Sequence, residues 1–206
     1  MTLESADQAP TRPARRCDNR ERTGIRRGSG QENGAVTLDW NRLARMTSGE
    51  RQQALLDELD SAMGSALEPG EEARRLRQLP EPLRAMWLMN WLDFEVSQGS
   101  LLAYFYNSHG RFAVETSDLL RRIGALRMAG VLDQARDAAV ALAEDDPQAG
   151  TAAQPEYSIR TAYSGQPDMD RMAALTELYW AAATDDDWGD KFDAYIAAEV
   201  LALAGE

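Results

Sequence analysis

The sequence predicts an all-α protein in which a single compact domain of about seven to nine helices follows a disordered N-terminal tail. From Leu38 onward, apolar residues recur at the three- and four-residue spacings of helices. β-branched residues are few, and no stretch alternates convincingly between apolar and polar residues as a half-buried strand does. A chain of 206 residues that is 44 % hydrophobic suffices for one domain with its own core.

Residues 1–34 are predicted to be disordered and residues 35–206 to form the helical domain. The tail is rich in Arg, Gly, Pro and other polar residues, so it cannot bury enough apolar surface to offset the entropy of ordering. A basic arm that binds nucleic acid is the alternative. Interspersed acids and the absence of stacking aromatics argue against that arm.

The first half of the domain contains five predicted helices. Thr47 and Ser48 are suited to cap the second helix, and Pro69-Gly70 to end it. The third helix begins with acids and ends with arginines, as the helix dipole favours. The predicted ranges are 39–46, 49–67, 71–78, 81–96 and a short helix from 101 that ends within 107–110.

The fourth and fifth helices are predicted to form the centre of the core. The fourth has an apolar stripe so broad that it implies burial on most sides. Gly99-Ser100 breaks this helix before the short one begins. The residues predicted to lie on the main stripe are Leu83, Trp87, Asn90, Trp91 and Phe94.

Four helices are predicted in the second half, over 115–123, 129–143, 168 or 170 to 183, and 188–203. The first two are expected to pair antiparallel, and Leu178 of the third is expected to face inward. The segment 144–167, between the second and third of these helices, is rich in Pro, Gly and Ser and is predicted to be a long loop.

The segment from Trp87 to Gly110, WLMNWLDFEVSQGSLLAYFYNSHG, combines aromatics, asparagines and a glycine break. It resembles the signature of a bacterial family typified by a neisserial protein that mimics DNA. In that family a tryptophan-containing helix ends in Glu-Val-x-x-Gly and is followed by an aromatic pair and Asn-x-x-Gly. The matching motif residues here are Trp87, Asn90, Trp91, Glu95, Gly99, Phe105, Asn107 and Gly110.

The resemblance extends to the segment 120–125, LRRIGA, which is similar to the family's Leu-x-x-Ile-Gly-Ala element. It covers roughly residues 38–200. Where the family typically has Asn-Asn-Gly-Gly after Glu-Val, this chain has Ser-Gln-Gly-Ser. The resemblance implies a helical fold and an activity of occupying the DNA-binding face of a transcription factor, but it assigns no partner-binding residue, because fold transfers more safely than function.

The charge distribution makes the predicted domain strongly acidic. Residues 1–34 hold seven arginines and five acids, whereas the remainder holds 15 basic and 29 acidic residues, a net charge of −14. Such a surface repels nucleic acid and anionic membranes and attracts basic partners, although acidity also serves solubility alone. The predicted partner-binding acids are Asp57, Glu58, Asp60, Glu68, Glu71, Glu72, Asp185, Asp186, Asp187, Asp190 and Asp193.

The sequence contains no motif for enzymatic chemistry, and we predict no catalytic residue, metal site or cofactor. The single histidine, His109, lies at a predicted helix terminus, where capping is its expected role. The lone cysteine, Cys17, allows no intrachain disulfide. The run 185–187 lacks the alternating ligand spacing of a calcium loop. Without an export signal or an apolar span, a cytoplasmic location is expected.

Three polar residues, Asn90, Glu95 and Asn107, lie in the most apolar region. A buried acid must be hydrogen-bonded or neutralised, so a structural network between the two central helices is the favoured interpretation. The alternative is a small-ligand pocket lined by four aromatic residues, Trp87, Trp91, Tyr104 and Tyr106.

Three functional hypotheses remain open. The leading one is a non-enzymatic acidic interaction module that resembles a DNA mimic and binds a basic DNA-binding protein. The second is an immunity-type inhibitor of a basic toxin, and the third is a small-ligand-binding helical domain. No direct contact with nucleic acid or membrane is expected, and exposed apolar edges on the outer helices would favour a homodimer.

Overall fold

The computed structural model describes residues 38–64, 69–108, 110–144 and 167–205. Within these ranges the protein has nine α-helices and no strand, so the all-α prediction is confirmed. All nine helices lie in one compact unit, Gly34–Glu206. The helices are α1 Trp40–Ala44, α2 Ser48–Met63, α3 Pro69–Gln78, α4 Glu81–Gln98, α5 Leu101–Ser108, α6 Ala113–Arg122, α7 Leu126–Glu144, α8 Pro167–Asp185 and α9 Trp188–Ala204.

Several sequence predictions fall outside the described residues. These concern the disordered tail 1–34, the acid Glu68, the capping role of His109 and nearly all of the loop 144–167. No helix that the structure describes is long and apolar enough to cross a membrane.

Local sequence sets the beginnings of the first two helices. The Asp39 carboxylate accepts the backbone N–H of Arg42 at 3.0 Å and so caps α1. Thr47 and Glu50 form a capping box at the start of α2, in which each side chain accepts the other residue's backbone N–H. The second helix ends at Met63 instead of reaching residue 67.

Helix α4 lies at the centre of the core, as predicted, and packs against α2, α3, α5, α6 and α9. Its buried arc includes Leu83, Leu88 and Leu92, which are at most 2 % exposed. Two predictions on this helix are wrong: Phe94 is 58 % exposed, and Asn90 is also exposed. Since apolar residues surround much of α4, sequence periodicity alone did not identify its solvent-facing side.

Helices α6, α7 and α8 pack in series, with α7 between the other two. The predicted pairing of α6 with α7 is confirmed, but α6 starts two residues and α7 three residues earlier than expected. On α8, Leu178 is 53 % exposed, so its predicted inward position is wrong. Met172, Leu175 and Tyr179 form the buried face, which follows the three- and four-residue helical spacing.

Helix α9 returns to the beginning of the domain and packs against α1. On its inner face Phe192, Ile196 and Val200 are buried. The Asp193 carboxylate accepts hydrogen bonds from Ser48 Oγ at 2.7 Å and from the Gln52 amide, which link α9 to α2. The last helix is thereby joined to the first two.

Candidate interaction surface

The acids predicted on α2 differ in exposure. Asp57 and Asp60 are exposed, whereas Glu58 is partly buried. Gln53 Nε2 donates to Asp57 Oδ1 at 2.8 Å, one helical turn away. The Asp60 carboxylate makes no hydrogen bond or ion pair with any described residue. Asp57 and Asp60 therefore contribute open negative charge to the surface of α2.

The acids at the start of α3 are paired with arginines. Glu71 accepts from Arg75 Nη2 at 2.7 Å and lies 3.8 Å from Arg74. Glu72 is 3.2 Å from Arg111 Nη2, and both of these side chains are largely buried. Burial raises the pKa of Glu72, and Arg111 opposes that rise. The predicted acidic surface is therefore largely neutralised along α3.

The turn between α8 and α9 carries the most open group of predicted acids. Asp187 and Asp190 are exposed, and neither carboxylate makes a hydrogen bond or ion pair within the described part of the chain. Asp185 is exposed as well but pairs with Arg127. We call Asp185, Asp187 and Asp190 the acidic edge. Two of its three charges have no counter-ion among the residues that the structure describes.

Asp186 and Asp193 lie beside this edge but face the protein. Asp186 is 7 % exposed and accepts the backbone N–H groups of Arg127 at 2.9 Å and Met128 at 3.1 Å. It therefore caps α7 from a distant part of the sequence. The prediction that Asp186 lies on an open surface is therefore wrong, because its carboxylate is buried. Asp193 accepts hydrogen bonds from Ser48 and Gln52, which leaves its carboxylate less available to a partner.

The central motif forms a structural connection between α4 and α5. Glu95 is 5 % exposed and accepts a hydrogen bond from the Asn107 side-chain amide. Gly99 allows the chain to bend closely between the helices, because a Cβ there would lie 2.7 Å from the Ala103 Cβ. Phe105 is fully buried. The network predicted from the sequence thus contains Glu95 and Asn107 but not the exposed Asn90.

The structure describes the side chains of three of the four aromatic residues predicted to line a pocket. The Trp87 and Trp91 rings are parallel, with centroids 5.6 Å apart, and both are half-buried. Tyr104 is 1 % exposed, and its hydroxyl lies 3.2 Å from Thr116 Oγ1. Burial raises the pKa of Tyr104. The side chain of Tyr106 lies outside the described structure.

Sequence reasoning missed a polar junction centred on Glu81. Its carboxylate pairs with Arg84, lies 2.8 Å from Arg122 Nη2 and accepts from the Tyr195 hydroxyl at 2.7 Å. This one carboxylate joins α4, α6 and α9. The adjacent prolines mark Glu81 as a helix start, but no local pattern indicates partners 41 and 114 residues away.

A second missed feature is the pair Asp93 and Tyr179. The Tyr179 hydroxyl is buried and has no hydrogen-bond partner among the described residues. Burial raises the pKa of Tyr179, and the nearby Asp93 adds to this effect. Burial also raises the pKa of Asp93. Across the described residues, no group of three or more His, Cys, Asp or Glu side chains could hold a metal ion.

Comparison with known families places these features in context. The model of the DMP19-like protein family matches residues 77–199, which include both the α4–α5 motif and the LRRIGA segment. Comparisons with curated proteins and with solved structures find no match. Because the family model matches more than half of the chain, the protein belongs to the DMP19-like protein family.

Proposed function

We propose that this protein is a non-enzymatic acidic module that mimics DNA and occupies the DNA-binding face of a basic transcription regulator. Membership of the DMP19-like family supports the proposal. The observation that carries it for this chain is the acidic edge, where Asp187 and Asp190 face solvent and pair with no cation among the described residues.

The acidic edge suits a basic partner for electrostatic reasons. An exposed carboxylate without a local cation contributes its full charge to the surrounding field, whereas Glu71 and Glu72 are each compensated by an arginine. Duplex DNA presents one negative charge per ~1.7 Å of its axis. Carboxylates one helical turn apart provide a comparable, though sparser, row of charge.

Capture by the tagged full chain from native lysate, at low and high salt, tests the proposal. We expect a basic DNA-binding protein to be retained at low salt, released by salt and displaced by duplex DNA. The double variant Asp187→Asn with Asp190→Asn should retain much less of it. Asn suits the left-handed backbone of Asp187, which has φ 48°.

The matched control removes two charges elsewhere, through Asp57→Asn with Asp60→Asn. If both double variants lose the partner equally, net charge and not the acidic edge determines binding. Capture of a basic toxin that DNA does not displace would favour the immunity-type alternative. Absence of any basic partner at low salt would contradict both functions.

A further inference from the structure

A cleft of about 230 Å³ opens between α3, α4 and α6. Its floor is apolar, since Leu76, Leu88 and Phe112 line it and are each at most 4 % exposed. Its rim is charged. The rim residues are Arg77, Arg84, Glu115, Asp118 and Arg122.

Two of the rim guanidinium groups are held in place by one carboxylate. Glu81 pairs with both Arg84 and Arg122, and its remaining contact is the Tyr195 hydroxyl. One negative charge therefore balances two positive charges. Because each guanidinium carries five N–H donors in a fixed plane, both arginines retain donors for another carboxylate.

The other rim charges leave one cation and one anion without partners. Arg77 and Glu115 are exposed, and neither makes a hydrogen bond or ion pair with a described residue. Asp118, by contrast, accepts from Arg121 at 3.0 Å. The cleft thus combines an apolar floor with a guanidinium and a carboxylate that pair with no described residue.

We propose that this cleft binds the zwitterion of a small apolar α-amino acid. Its carboxylate would contact Arg77 with Arg84 and Arg122, its ammonium group would contact Glu115, and its side chain would cover the apolar floor. The cleft is large enough for such a small ligand, since its volume equals that of roughly eight water molecules at ~30 Å³ each. This proposal does not depend on the proposed binding of a basic protein.

Leucine is a suitable probe because Trp87 reports on the cleft. Its ring packs edge-on against Phe112 of the floor, with centroids 4.7 Å apart. Titration of the full chain should shift the Trp87 indole N–H signal in NMR spectra, and the variant Trp87→Phe identifies that signal. Leucine amide lacks the carboxylate and N-acetyl-leucine lacks the ammonium group, so both should bind roughly tenfold more weakly.

Two charge variants cross-check the orientation. Arg77→Gln should weaken leucine about tenfold but leave the weak binding of leucine amide unchanged. Glu115→Gln should weaken leucine similarly while leaving N-acetyl-leucine unchanged. Arg74→Gln on the same helix α3 and Glu177→Gln on α8 are matched controls, because neither side chain lines the cleft.

The ligand comparison on the unaltered protein keeps the test independent of how the variants fold. Saturable binding in the order leucine above both derivatives, with the crossed loss in the two variants, supports the site. Absence of a saturable Trp87 shift in the millimolar range overturns it. Equal affinity for all three probes overturns it as well, because the charged rim would then make no contribution.

Discussion

At the scale of single residues, this protein uses several acids for structure although its sequence contains an excess of them. Asp186 is the clearest case, because its carboxylate is buried and accepts two backbone N–H groups at the start of α7. Those N–H groups have no partner within the helix, so a distant side chain satisfies them. A high acid count therefore does not measure the charge available to a partner.

Replacement of Asp186 should reveal its capping role. We expect Asp186→Ala to lower the free energy of unfolding by about 1–3 kcal/mol, because two N–H groups are left buried without an acceptor. Asp186→Asn should cost less, since its amide oxygen can still accept. Urea unfolding measures both variants through their midpoints at constant slope. Equal effects of the two substitutions would contradict the capping role.

Asp93 should make stability depend on pH in the direction opposite to a paired acid. Burial raises its pKa above the ordinary value of 3.8, so the folded state binds the proton more tightly than the unfolded state. Its contribution to stability is present below pH 3.8 and is lost as the pH rises through the raised folded pKa. We therefore expect Asp93→Asn to stabilise the protein at pH 7.

Thermal unfolding of Asp93→Asn at pH 7 and at about pH 4 tests this expectation. The advantage of the variant over the wild type should be larger at pH 7 than at the acidic pH. Glu177→Gln is the control, since Glu177 is exposed and forms no ion pair with a described residue. A uniform advantage at both pH values would indicate a packing effect without proton linkage.

At the scale of elements, the turn between α6 and α7 shows why the LRRIGA segment has its glycine. The N–H of Ala125 donates to Leu120 O at 2.8 Å, and the N–H of Gly124 donates to Arg121 O at 3.1 Å. These two bonds form a Schellman motif, whose turn residue Gly124 has φ 82°. The Lys191 ammonium group also donates to Gly124 O, which joins the turn to α9.

Two glycine substitutions should have opposite effects. A Cβ at Gly124 would meet only Lys191 Cδ at 3.9 Å, so the cost of Gly124→Ala is backbone strain, about 1 kcal/mol or more. Gly130 is inside α7 with nothing within 4 Å of a Cβ, so Gly130→Ala should stabilise by about 0.5–1 kcal/mol. Chemical unfolding of both variants checks the signs; the same sign for both would refute this account.

At the scale of the whole molecule, a formal net charge of −12 should govern how fast a basic partner associates. We expect the association rate constant to fall steeply with ionic strength, because salt screens exposed charges beyond about 8 Å at physiological ionic strength. If Asp187 and Asp190 contact the partner in the proposed complex, neutralising them should lower the association rate constant and also raise the dissociation rate constant. Stopped-flow kinetics across a salt series separates the two effects.

A slower association with unchanged dissociation would place Asp187 and Asp190 outside the contact. They would then contribute only to the long-range field, as rim charges do. Salt-independent association would contradict electrostatic steering altogether.

The sequence by itself determined the fold class, the order of the helices, the acidic character and the family motif. Helical periodicity, capping residues and composition are local properties, and local properties can be read along the chain. The Glu95–Asn107 bond was also predictable, because both residues lie within one recognisable motif of an apolar region. The motif indicated the family, and within it Glu95 and Asn107 form a hydrogen bond between α4 and α5.

Only the tertiary structure decided which acids and apolar residues face solvent. Asp186 and Arg127 lie 59 residues apart, and Glu81 and Tyr195 lie 114 apart, so no local pattern could pair them. Phe94 and Leu178 were wrongly predicted to face the core. A helix with a wide apolar face can be rotated about its axis in several ways, and only packing against its neighbours selects one of them. The charged cleft likewise exists only where three helices meet, since packing alone determines which side chains share a space.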